Sequence, residues 1–147
     1  MTDIFDPEKR SEIMSRIRGR DTEPEMIVRR IAHGLGFRFR LHRRDLPGSP
    51  DLVFPRHRAV IMVHGCFWHR HPGCKYASSP KTRVGFWERK FAGNVVRDRR
   101  NETELHELGW RVMVIWECET RDHEAVASRI ESFLRPDENE VARGPRA

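Results

Sequence analysis

Long apolar runs are missing from this chain. None approaches the roughly 20 residues that cross a bilayer, so no membrane-spanning helix is expected. Cysteine is scarce too: an odd count of three cannot form a closed disulfide framework. Lysine is rarer than the basic character suggests, with only Lys9, Lys75, Lys81 and Lys90 among 28 basic residues. The segment from Met1 to Arg10 is polar and acidic, without the apolar stretch of a secretory signal, which makes the cytoplasm the default location. No internal repeat is visible.

What remains is a chain of 147 residues, enough for one domain with one core. Charged residues make up 34% and hydrophobic residues 37%, the balance of a soluble globular protein rather than a disordered one. The net charge is +6 and is carried mostly by arginine. Its planar guanidinium binds phosphate oxygens and guanine edges, so a nucleic-acid partner is one reading. A genome rich in arginine codons is the other.

Asp6-Pro7-Glu8 has the form of a helix start, with Ile13 and Ile17 as an apolar stripe and Gly19 as a stop. Thr22-Glu23-Pro24-Glu25 reads as a capping box opening a second helix. Ile27, Ile31 and Leu35 recur every four residues along it, and Gly36 ends it. Phe37 to Leu41 alternates as a strand does. After a turn at Leu46-Pro47-Gly48-Ser49-Pro50, a short strand runs from Asp51 to Phe54. Arg58 to His64 and Trp110 to Trp116 are apolar enough for buried strands. Between them lie an irregular loop over Gly65 to Pro80, a long helix over much of Arg83 to Leu108, and a stop at Gly109. A final helix covers Glu124 to Leu134, and Pro136 to Ala147 is a polar tail expected to be disordered. The order predicts an α/β sandwich with a mixed central sheet and one domain over residues 1–135. Such sheets place their chemistry at strand ends and adjoining loops.

The loop His64-Gly65-Cys66-Phe67-Trp68-His69-Arg70-His71-Pro72-Gly73-Cys74 carries two cysteines and three histidines. Cys118 follows the strand that ends at Trp116. Structural zinc takes four soft ligands in a closed tetrahedron, and Cys66, His71, Cys74 and Cys118 supply such a set. A buried free thiol and scattered histidines are the bland alternative. His64 and His69 are left over, either as proton carriers near neutral pH or as packed or solvated side chains. Asp51 opens one strand and His64 closes the next. An acid in that place suits Mg2+, which binds one or two carboxylates together with substrate phosphate. A lone Pro50-Asp51 is equally an ordinary turn.

The two stretches Leu46-Pro47-Gly48-Ser49-Pro50-Asp51 and His64-Gly65-Cys66-Phe67-Trp68-His69 together resemble the very-short-patch repair (Vsr-type) DNA mismatch endonucleases. So do Asn94-Val95-Val96-Arg97-Asp98-Arg99-Arg100, Leu108-Gly109-Trp110-Arg111-Val112 and Trp116-Glu117-Cys118, in order from about Arg10 to about Leu134. The resemblance implies a restriction-endonuclease-like three-layer sandwich with a structural zinc loop. The usual acid and lysine of the second strand are absent, their places taken by Met62 and His64. It further implies that Asp51 binds Mg2+ with the Val63 carbonyl, that His69 is the general base with Asp98 orienting it, and that His64 meets the scissile phosphate. Glu25 matches an acid near the family's site, although a capping box would place it there anyway. Phe67, Trp68 and Trp87 match residues pushed into the base stack beside a T·G mismatch, and Lys90 and Asn94 match further DNA contacts. For Trp87, core packing is the competing reading. Met14, on the DNA-gripping helix of residues 1–20, matches a contact from the other groove, or simply packs on Ile13 or Ile17.

The implied activity is a nick 5′ of the mispaired thymine, starting repair of deaminated 5-methylcytosine. The implied cofactors are Mg2+ and Zn2+. Mismatched double-stranded DNA is the implied partner, the family suggests contact with mismatch-repair proteins, and the chain is expected to be a monomer. Two alternatives stay open: a defence or mobile-element nuclease blind to mismatches, and a zinc-stabilised DNA-binding module without catalysis. Asp51, His64 and His69 argue against the second, since a binder has no need of them.

Overall fold

The computed structural model describes residues 22–135. The expected first helix, with Met14, and the tail from Pro136 lie outside the described residues.

Helix α1 (Glu23–Gly34) starts where the capping chemistry places it: the Thr22 hydroxyl accepts the Glu25 N–H at 3.4 Å, and the acids Glu23 and Glu25 sit in the first turn. Gly36, at φ +93°, follows its end. The deepest stripe of α1 is not Ile27-Ile31-Leu35 but Glu25, Val28 and Ala32. Ile31 and Leu35 only flank the core. Small side chains at the centre of the stripe let the helix lie close to the sheet, and the same rotation turns Glu25 inward.

The sheet is mixed, in the order β1 (Arg40–Leu41), β2 (Leu52–Phe54), β3 (Ala59–His64), β4 (Arg111–Trp116). The first three strands are antiparallel neighbours, and β3 runs parallel to β4 from Ala59↔Arg111 to His64↔Trp116. Of the expected strand over residues 37–41, only Arg40 and Leu41 pair. Phe37 instead drops into the core, 2% exposed, where its ring meets Phe54 edge-on. The turn before β2 needs Gly48: its φ is +76°, and a Cβ there would lie 2.9 Å from the Asn101 amide. Strand β4 is half-buried except at Ile115, less covered than an apolar run suggests, because among the described residues it has a partner on one side only.

Helices cover both faces. On one, α1 and α3 (His123–Leu134) bring Val28, Ala32, Val126, Ile130 and Leu134 against Leu52, Phe54, Ala59, Ile61 and Ile115. On the other, Leu105 of α2 (Val84–Glu107) packs with Leu46, Val53, Val60, Met62 and Trp110. Each fully buried Leu, Ile or Val contributes roughly 1.5–3 kcal/mol, so the strand ends that carry the site rest on a stiff base. Only Phe91 and Leu105 of the 24 residues of α2 are buried. Its C-terminal half lies on the sheet, and its N-terminal half overhangs the loop after β3. Among the described residues no helix is long and apolar enough to cross a membrane.

Candidate active site and metal centre

The loop after β3 folds back over the end of the sheet. The His69 N–H reaches the Gly65 carbonyl at 3.1 Å, and the His71 N–H reaches the Cys66 carbonyl at 3.0 Å. These turns bring Cys66, His71 and Cys74 together, and Cys118 joins them from the 3-10 turn that follows β4. All four ligand atoms lie within 4.8 Å of one another. The His71 Nδ1 stands 3.7 Å from the Cys66 sulfur and 3.5 Å from the Cys118 sulfur. A nitrogen and a sulfur on one tetrahedral zinc are about 3.6 Å apart, given bonds of about 2.0–2.1 and about 2.3 Å. The donor set therefore fits zinc in type, number and spacing. None of the three thiols is in a disulfide. Burial pushes the Cys66 thiol up to about 12. The His71 ring stacks on Trp116, centroids 4.2 Å apart, which fixes the imidazole plane.

His64 closes β3 with its ring buried, and His69 lies flat against it, centroids 3.9 Å apart and planes within 5°. The His69 Nδ1 is 2.7 Å from Asp98 Oδ2 on α2. A carboxylate accepts, so Nδ1 donates to Asp98 and Nε2 is left for other partners. The His64 pKa falls to about 4, first because burial penalises the imidazolium and then because His69 repels it. The stacked pair thus holds one imidazole neutral by burial and a second, more exposed one oriented by a carboxylate.

Asp51 stands immediately before β2, its side chain a quarter exposed. Its Oδ2 accepts the Val63 N–H at 2.7 Å. Burial raises the Asp51 carboxyl to about 7, Val63 works against the shift, and the neighbouring Glu25 adds to it. Glu25 is 3% exposed and ion-paired to Arg29 one turn on. Its backbone serves the helix cap while its carboxylate does not turn back to it, so the capping box accounts for only half of this residue. Between the two acids stands His42, which the sequence reading missed. It follows β1 directly, and the register Leu41↔Leu52 places it opposite Asp51. The His42 N–H donates to the Asp51 carbonyl at 3.3 Å. Its Nε2 lies 2.8 Å from Glu25 Oε2 and 3.7 Å from Asp51 Oδ1. Pairing the two strands in the sequence would have found it.

The aromatic residues form a separate cluster between the loop and α2. Phe67 meets Phe91 edge-on at 5.1 Å and Trp87 at 5.7 Å, and Trp68 lies 5.8 Å from Trp87. The Asn94 amide donates to the Trp68 carbonyl at 3.0 Å, so Asn94 fixes the loop. Arg70 covers the Phe91 ring at 4.1 Å and donates to the Phe67 and Ser78 carbonyls at 3.3 and 3.0 Å. Phe67, Trp68, Trp87, Lys90 and Asn94 are all half-buried. Packing and DNA contact are both served by such positions.

The family model described as "DNA mismatch endonuclease Vsr" matches residues 2–75. The type II nicking enzyme V.XorIIP of Xanthomonas oryzae pv. oryzae is 48% identical over 136 residues, covering 92% of this chain and 99% of that protein. The DNA mismatch endonuclease Vsr of Escherichia coli is 42% identical over 139 residues, covering 91% of this chain and 88% of its own length. Among solved structures, the catalytic domain of the homing endonuclease I-Bth0305I superposes with a TM-score of 0.51 at 23% identity, over 77% of this chain and 94% of that one. That likeness establishes the fold, a restriction-endonuclease-like sandwich.

Proposed function

The chain belongs to the DNA mismatch endonuclease Vsr family, and from that premise we propose that it nicks duplex DNA on the 5′ side of the thymine in a T·G mismatch. Such mismatches arise when 5-methylcytosine deaminates, and resynthesis from the nick restores C·G. The observation that carries the reading is the His69–Asp98 pair at 2.7 Å, stacked beside His64 and close to Asp51. It supplies a general base where a phosphate and a hard cation could meet.

His69 Nε2 takes the proton of the attacking water as the water oxygen bonds to phosphorus and the bond to the leaving oxygen breaks. Asp98 holds the ring in the tautomer this needs and stabilises the imidazolium that results. His64 stays neutral and offers the phosphate an N–H rather than a charge. Asp51 would hold the cation, with Glu25 and Val63 beside it. A bound magnesium ion would polarise the phosphate and spread its developing charge. Cys66, His71, Cys74 and Cys118 would hold zinc, and so would tie the loop bearing His69 to the end of β4. Phe67, Trp68 and Trp87 face the mismatch. The DNA contact proposed for Met14 falls outside the described residues.

Single-turnover nicking of duplexes that differ only in T·G against C·G tests the proposal. Cutting confined to the T·G duplex, on the thymine strand, is the expected result. Equal cutting of both duplexes would instead mark a nuclease blind to mismatches.

A further inference from the structure

Arg70 takes no part in the proposed chemistry. It stands between His69 and His71 at a backbone φ of +55°, a conformation that favours glycine or asparagine over a long side chain. Its guanidinium offsets that cost by joining two arms of the loop to a helix. Nη1 donates to the Phe67 carbonyl at 3.3 Å and to the Ser78 carbonyl at 3.0 Å, and Nη2 donates to the Ser79 hydroxyl at 3.4 Å. The same group lies over the Phe91 ring at 4.1 Å, with the Phe67 ring at 5.7 Å. Phe91 in turn meets Phe67 edge-on and stacks with Trp87, centroids 5.1 and 5.5 Å apart. Ser78 and Ser79 lie beyond Cys74, the last of the cysteine cluster's residues on this loop, so the cluster itself does not reach that arm.

We infer that Arg70 is a positioning residue for the aromatic pair: it clasps the Phe67 main chain to the Ser78–Ser79 arm and to Phe91, and so sets Phe67 and Trp68 for insertion before DNA arrives. The inference rests on the reading of Phe67 and Trp68 as the residues that face the mismatch, and adds what holds them there. Rings on a loose loop must be ordered at the moment of insertion, and that ordering opposes a step in which stacking lost and stacking gained nearly balance. A loop ordered beforehand removes the opposition. The planar fork is what the position needs. Lysine would keep the charge but could not span two carbonyls and a hydroxyl while lying flat on Phe91. The contacts of Arg70 are separate from the His69–Asp98 pair, so the clasp acts on insertion and leaves proton transfer alone.

The test uses the full zinc-loaded chain and duplexes carrying 2-aminopurine beside the mispaired thymine, whose fluorescence rises when the stack opens. Arg70→Gly suits the φ of +55° and removes the clasp, while Arg70→Lys keeps the charge alone. Both variants should slow the fluorescence rise and single-turnover nicking at T·G by the same factor, roughly 10- to 100-fold, the rate equivalent of a lost hydrogen bond from a charged donor. Zinc content, binding to matched duplex and the pH profile of nicking should stay as in the wild type. Wild-type insertion in Arg70→Lys would reduce Arg70 to a bare charge, and equal losses of binding on T·G and T·A duplexes would make it general loop support; either result overturns the inference. If Arg70→Gly loses zinc, Arg70→Lys decides. In the DNA-free protein, amide exchange over residues 67–79 should quicken about tenfold or more in both variants, as local opening becomes easier, and unchanged exchange overturns the clasp. That readout needs no mismatch, so a wild type that cuts T·G and C·G alike refutes the proposed function while exchange still decides the clasp.

Discussion

The cysteine cluster and the Glu25-His42-Asp51 cluster, both able to hold metal, are built in opposite ways. Cys66, His71 and Cys74 come from one stretch of loop and need only Cys118 from elsewhere. Glu25, His42 and Asp51 come from three separate elements. The first set is soft and supplies all four ligands itself, so a zinc there has no position left for substrate. The second set is hard, contains one sealed imidazole, and leaves room for water or phosphate on any ion it takes. On the proposed reading, one cluster would give the loop a fixed shape and the other would work on a substrate against that shape.

The largest expected effects separate the two jobs. Cys118→Ser should lower folded stability by more than about 4 kcal/mol, a loss characteristic of a broken metal site, and release zinc. Asp51→Asn should leave stability unharmed, because the ionised form is the one that burial and Glu25 disfavour. Its nicking should fall by about 10,000-fold or more. Thermal unfolding, native mass spectrometry and single-turnover nicking on both variants make the comparison. A zinc-free wild type, or an Asp51→Asn that unfolds while Cys118→Ser does not, would collapse the division of labour.

The same contrast explains what the sequence could disclose. Ligands three to eight residues apart announce themselves, and Cys66, His71, Cys74 and Cys118 do meet. Glu25 was found through family resemblance and Asp51 from its place at a strand start as well, but nothing local in the chain says that they touch. His42 stayed hidden because its partners depend on strand register, and its own neighbours in sequence are arginines and leucine. The elements themselves were legible, since caps and periodicity act locally: α2 and α3 run within a residue of expectation. The stripe of α1 was misjudged because apolar spacing alone favoured Ile27, whereas the fold needed small residues facing the sheet and Glu25 turned inward. Phe37 was read as strand, but its ring is worth more in the core than its backbone in a ladder.

A smaller effect probes the border between the clusters. His69 belongs to the loop that carries the cysteine cluster, and on the proposed reading it would act beside the acid one. His69→Ala should slow nicking roughly 100- to 10,000-fold, the range for loss of a general base, with zinc content and unfolding temperature unchanged. A near-wild-type single-turnover rate would remove His69 from the chemistry and leave the His69–Asp98 contact as a structural tie.

The smallest expected effect falls on Trp68, where loop architecture and recognition compete for one side chain. Its carbonyl is tied to Asn94 and its ring lies against Trp87, so packing alone could account for its position. Inserting aromatic rings between base pairs breaks stacking at a cost of a few kcal/mol per step. A base stacked on an aromatic ring returns roughly 1–3 kcal/mol. The two terms nearly cancel, so the state of the target pair decides the sign. A T·G wobble distorts more easily than a matched pair, and insertion there should be favourable while insertion at T·A is not. Trp68→Ala should then reduce nicking and binding at T·G about 5- to 150-fold, the rate equivalent of that stacking energy, and change binding to T·A duplex little. Paired T·G and T·A duplexes, measured for wild type and variant, give the answer directly. Equal losses on both, accompanied by a lower unfolding temperature, would assign Trp68 to the zinc loop and deny it any part in reading the mismatch.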